Sequence, residues 1–120
     1  MSLSPIENRQ ISNAIPALRK SSTRRFVLKH LVSLHPEASS VNEIARQLGL
    51  TPTQVFGVIK GIKNHYEPHY SLLNLGLAEP LDNGSRPLMY RATELGRTAI
   101  AKIEFSYCRN RIIRYSSNET

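Results

Sequence analysis

The chain has a single cysteine, Cys108, among its 120 residues, which excludes an internal disulfide framework and makes a reducing cytoplasm the expected setting. It has nothing approaching the ~20 consecutive apolar residues of a membrane-spanning helix. Its first residues lack the basic, apolar and small-residue succession of a secretory signal. Acidic residues are scarce, nine Asp and Glu against sixteen Lys and Arg, for a net charge of +7. That imbalance favours a polyanionic partner, nucleic acid before membrane. There is no low-complexity segment and no internal repeat. No nucleophile–base constellation, glycine-rich phosphate loop or carboxylate pair stands out, so no enzymatic activity is expected. His65 and His69 stand four apart, but Pro68 breaks the helix that would align them and no further ligands complete a site. No metal or other cofactor is expected. Cys108 closes an apolar stripe and reads as a small buried hydrophobe. The length gives one small domain with a modest core, helped by a partner chain.

What the chain does have is a strongly punctuated stretch from Ser40 to Lys63, SVNEIARQLGLTPTQVFGVIKGIK. Two short helices are predicted, from about Val41 to Leu48 and from about Pro52 to Ile62. Each opens on a capping box, Ser40 with Glu43 and Thr51 with Gln54. Pro52 occupies the first helical position, where a missing N–H costs nothing. Gly49 follows the first helix, where a left-handed residue ends it. Ile44 and Leu48 lie on one face of the first helix, and Val55, Val58, Ile59 and Ile62 form a stripe on the second. Ala45 is small where the two helices must cross. The order of small residue, glycine and later apolar pair resembles the helix-turn-helix of transcription regulators.

Around it, Ser4-Pro5-Ile6-Glu7 opens an amphipathic N-terminal helix, interrupted or kinked before Pro16. Ser22 caps a helix from about Thr23 to Leu34, with Phe26, Val27, Leu31 and Leu34 facing inward. Ala38-Ser39-Ser40 ends that helix and leads into the next. Pro68 works against one continuous helix beyond Ile62, so a loop over Asn64 to Pro68 and a short helix from about His69 to Leu75, closed by Gly76, are predicted. Leu77–Leu81 and Leu88–Ala92 read as strands around the turn signal Asn83-Gly84. Pro80 and Pro87 suit an edge ribbon. Thr93 caps a last helix, from Glu94 to about Cys108, with Leu95, Ala99, Ile100, Ile103 and Tyr107 inward. The tail from Arg109 is basic, then polar.

Helix, helix-turn-helix, hairpin, helix is the winged-helix order. The run GLAEPLDNGSRPLMYRATELGR resembles the "GL…wing…Y-x-x-T-x-x-G-R" segment of MarR-like and related regulators, and the tract through SLLNLGL is similar to small predicted regulators of archaea. In most winged helices "GL" follows the recognition helix within a turn or so; here roughly ten extra residues intervene. The resemblance spans about Thr23 to Ala101. It implies a mainly α fold with a small β-hairpin: a winged helix-turn-helix, a three-helix core plus wing, with additional N- and C-terminal helices. The expected divisions are an N-terminal helical extension over 1–21, the winged helix over 22–93, a dimerisation helix over 94–110 and a flexible tail over 111–120.

The resemblance implies binding to double-stranded DNA as a homodimer, through the last helix with Leu95, Ala99, Ile103 and Tyr107. With the aliphatic stripe buried, the predicted outward set on the second helix is Thr53, Gln54, Gly57, Lys60, Gly61 and Asn64. Gln54 suits adenine, Thr53 a base edge or phosphate, and Lys60 guanine or phosphate. Gly57 and Gly61 admit either a close DNA backbone or close packing against another helix. Thr51 and the first N–H groups of that helix suit a phosphate. Arg86 at the wing tip, with Asn83 and Ser85, suits a minor groove or phosphate, and Arg91 a phosphate. Arg24, Arg25 and Arg46 are candidate phosphate clamps. Two other readings stand beside this one: a winged helix used as a protein-interaction module, and an architectural or replication DNA binder with little sequence preference.

Overall fold

The computed structural model describes residues 5–61, 70–81 and 87–105. Across them the chain is mainly helical with a small three-stranded antiparallel sheet. The elements in order are α1 (Pro5–Lys20), α2 (Ser22–Leu34), β1 (Ser39–Ser40), α3 (Val41–Leu48), α4 (Pro52–Lys60), β2 (Ala78–Leu81) and β3 (Met89–Ala92). A last helix, α5, covers 94–105. No helix among the described residues is long and apolar enough to cross a membrane.

α1 runs unbroken through Pro16, which corrects the predicted interruption. Proline removes the bond to the carbonyl four residues earlier. Here that carbonyl belongs to Ser12, and both Ser12 and Pro16 are exposed, so water can satisfy the freed acceptor. On the opposite side Ile11, Ala14, Ala17 and Leu18 are buried. Ala14 and Leu18 join the one continuous core cluster, so α1 is a wall of the core and not an appendage to it.

α2 starts on Ser21, one residue before the predicted cap; the Ser21 hydroxyl accepts from the Arg24 N–H at 3.1 Å. Val27, Leu28 and Leu31 are fully buried, but Phe26 is 56% exposed. At about 100° per residue, Phe26 falls on the far side of the helix from the arc that those three share, which overturns its inward assignment.

Two buried serines form β1, where only a connecting run was expected. Ser39 pairs with Tyr90 and Ser40 with Met89, so β3 becomes the central strand of the order β1-β3-β2. On its other edge β3 pairs with β2, Ala78 opposite Ala92 and Leu81 opposite Met89. Pro80 sits in β2, an edge strand, where its missing N–H breaks no ladder on the outer side. β1 runs directly into α3, so the sheet positions the start of α3.

Beyond α4, Tyr70 is 3-10 helical and residues 71–77 form turns and bends; the helix predicted from about His69 to Leu75 does not extend over 71–75. These turns close the end of α4. The Leu72 and Leu73 N–H groups donate to the Val58 and Ile59 carbonyls at 3.0 and 3.1 Å, satisfying acceptors that a helix end leaves open. Thr93 caps α5 as expected, its hydroxyl accepting from the Gly96 N–H at 3.0 Å and donating to the Gly76 carbonyl at 2.6 Å. At Gly96 an added Cβ would stand 2.2 Å from the Leu77 carbonyl oxygen. Only a glycine lets α5 lie this close to that backbone.

The second-helix position Ile62, the loop and histidines over 62–69, the Asn83-Gly84 turn, Tyr107, Cys108 and the tail lie outside the described residues, as does Ser4.

Candidate functional site

The corner between α3 and α4 is built from two caps and a left-handed residue. The Ser40 hydroxyl accepts from the Glu43 N–H at 3.2 Å. α3 ends on Gly49 at φ +69°, ψ +30°, and the next N–H, of Leu50, returns to the Ala45 carbonyl at 2.9 Å. Thr51 then opens α4 with a reciprocal capping box. Its hydroxyl accepts from the Gln54 N–H at 3.2 Å, and Gln54 Oε1 accepts from the Thr51 N–H at 2.9 Å. With Pro52 at the first turn, the helix start is fixed by local bonds alone.

Val55, Val58 and Ile59 are fully buried, as their spacing requires. The outward arc is Pro52, Thr53, Phe56 and Lys60, all exposed. Thr53 and Lys60 stand where the sequence puts them. Gly57 does not: it is buried, so the reading of Gly57 as an outward, DNA-approaching position is corrected in favour of close packing. A residue without a side chain is where a neighbouring part of the fold can close on the helix. The exposed arc is turned from the predicted one by nearly one residue step, about 100° in an α-helix. Gln54 is half-buried, its oxygen engaged in the cap.

Phe56 was assigned no place by the sequence reading, yet it lies mid-arc and is 40% exposed. Lys60, one turn on, holds its ammonium 5.6 Å from the centre of the Phe56 ring, within cation–π range. A helical wheel centred on Val55 and Ile59 would have drawn attention to it; residue type alone suggests the core.

The arginines divide by environment. Arg24 is only 9% exposed and donates from Nη1 to the Ala17 carbonyl at 2.9 Å, with its guanidinium 5.8 Å from the Tyr70 ring centre. Arg25 donates to the Leu18 and Arg19 carbonyls at 2.9 and 3.0 Å. Both tie the end of α1 to the start of α2. A cation at a helix C-terminus satisfies open carbonyls and complements the dipole there. Arg46 is exposed and bonds Glu43 one turn earlier. The Arg46 guanidinium holds the Glu43 carboxyl below the usual glutamate range, and the carboxylate raises Arg46 in return. Arg91 pairs with Glu79 across β3 and β2, Nε to Oε1 at 2.6 Å. Asn64 and Arg86, with Asn83 and Ser85 beside it, lie outside the described residues.

The apolar side of α5 is already covered. Ala99 and Ile103 are buried in the chain's own core and half-buried Leu95 packs against it, while Tyr107 lies outside the described residues. What α5 exposes instead is Phe105, at 68%, beside Glu104, which pairs with Lys29 of α2 at 2.9 Å.

Residues 14–103 match the family model described as EarA-like. An uncharacterized protein of Methanocaldococcus jannaschii is 33% identical over 86 residues, which cover 72% of this chain and 77% of that protein. No solved structure matches significantly.

Proposed function

The chain belongs to the EarA-like family, and on the geometry of α4 we propose that it is a cytoplasmic DNA-binding transcriptional regulator with a winged helix-turn-helix fold. The family match takes in everything from the second half of α1 to 103, so the reading concerns the shared core and not a peripheral addition. In it α3 and α4 are the helix-turn-helix, β2 and β3 the wing, and α4 enters the major groove of a duplex.

One observation carries this reading. α4 is anchored by its caps at one end and by its aliphatic side within the core, while Pro52, Thr53, Phe56 and Lys60 remain uncovered. A helix held this rigidly with a free outer arc is what groove insertion needs. The net charge of +7 supplies the attraction to phosphates. The rival, a protein-interaction module, would be better served by several clustered apolar anchors; the arc of α4 carries one aromatic ring next to a lysine.

The test is a fluorescence-anisotropy titration of labelled duplex over a salt series. Affinity is expected to fall linearly on a logarithmic salt axis, with a slope set by the number of phosphates neutralised. Lys60→Glu is expected to weaken binding more than Lys102→Glu, which makes the same charge change on α5. Equal effects of the two substitutions would remove α4 from the interface. We further propose a homodimer, with the exposed Phe26 and Phe105 rather than the buried α5 residues at its interface.

A further inference from the structure

We propose that Phe56 reads the C5-methyl group of a thymine in the major groove; this rests on the DNA-binding reading of α4. Among the described residues of α3, α4 and the turn between them, every other large aliphatic or aromatic side chain is buried or half-buried. Phe56 alone stands out, and it does so in the middle of the arc formed by Pro52, Thr53 and Lys60. Phe56 is not a member of the buried core cluster, so its truncation is expected to cost less than that of a fully buried side chain.

The ring has no hydrogen-bonding group, so it cannot read the donor and acceptor pattern of guanine, cytosine or adenine. The thymine methyl is the one apolar group that a major groove presents, and phenylalanine is among the side chains that contact it. Lys60, at 5.6 Å from the ring centre, places a cation directly beside the apolar contact. A thymine methyl next to a phosphate or a guanine edge offers the complementary pair. An apolar pocket on a protein partner would meet that ammonium on its own apolar lining, where a charge without a partner is costly.

The experiment begins with selection of bound duplexes from a random pool by the full chain, followed by replacement of each thymine of the enriched motif, one at a time, by deoxyuridine. Uracil pairs as thymine does and lacks only the methyl. Binding is compared for the wild-type chain, Phe56→Ala and Phe56→Leu, with melting curves to confirm that the variants fold. At one thymine per half-site the replacement is expected to weaken wild-type binding about fourfold, the equivalent of about 0.8 kcal/mol for one methyl group. Phe56→Ala binds more weakly and is indifferent to the replacement, and Phe56→Leu keeps part of the sensitivity. Wild-type indifference at every thymine overturns the proposal, as does an unchanged loss in Phe56→Ala or a selection that enriches no motif. If salt-sensitive duplex binding persists in those cases, the DNA-binding reading stands while the methyl contact falls. If no salt-sensitive binding is seen, both fall together.

Discussion

A guanidinium that is nine-tenths buried has to find its partners inside the protein, and Arg24 finds the Ala17 carbonyl and the face of Tyr70. Lys60 carries the same charge and is exposed, so only Lys60 has its charge available to a partner. Arg24→Ala removes a charge-assisted bond from a desolvated site and is expected to cost about 1–3 kcal/mol of stability, read by urea unfolding. If the chain binds DNA as proposed, the salt slope of that binding should stay at its wild-type value. A reduced slope would place Arg24 among the phosphate contacts. At this scale the sequence is least informative, because Arg24, Arg46 and Arg91 look alike as letters. What separates them is the Ala17 carbonyl, Glu43 and Glu79, partners chosen by the fold.

Among the elements, α3 and α4 owe their bounds to their caps, and those were legible before any coordinates. Ser40, Gly49, Thr51 and Pro52 act through bonds to residues three or four away, which a sequence displays directly. Thr51→Ala breaks the capping box and is expected to lower stability by about 1 kcal/mol, with Thr51→Ser restoring most of it in thermal unfolding. β1 was not legible. Two serines have no strand preference of their own, and they become a strand because β3 offers an edge at Tyr90 and Met89. The rotation of the α4 arc was hidden for a similar reason, since burial of Gly57 depends on what closes over it. α3 also carries a pH signature. The Arg46 hydrogen bond lowers the folded-state Glu43 value below its ordinary 4.5, so the contribution of this pair is present above that value and is lost as pH falls through the lowered one. An NMR titration of the Glu43 carboxyl should place its midpoint below the ordinary value, and Arg46→Ala should move it back up. An unmoved midpoint would mean that the pair does not persist in solution.

For the whole molecule, the core is a single cluster reaching from α1 to α5, and among its described residues α5 turns its apolar stripe into that core. Of the exposed large apolar side chains, Phe26 on α2 and Phe105 on α5 lie on helices joined by Lys29 and Glu104. A two-fold arrangement can bury both rings at once, because a symmetric interface uses one patch twice. If the chain is the homodimer proposed, Phe105→Asp is expected to convert it to a monomer in sedimentation equilibrium while leaving the melting of the isolated chain near wild type. A dimer that survives this change would place the contact elsewhere.

The turns over 71–77 set a length as well as a boundary. Together with the cap at Gly61, φ +87°, they close α4 at nine residues by taking the Val58 and Ile59 carbonyls, roughly 14 Å of axis at 1.5 Å per residue. Laid along a duplex, that is a ruler of about four base steps at 3.4 Å each. If α4 reads a duplex as proposed, one copy spells only a short word, and a longer message is composed by setting two such words at a fixed interval.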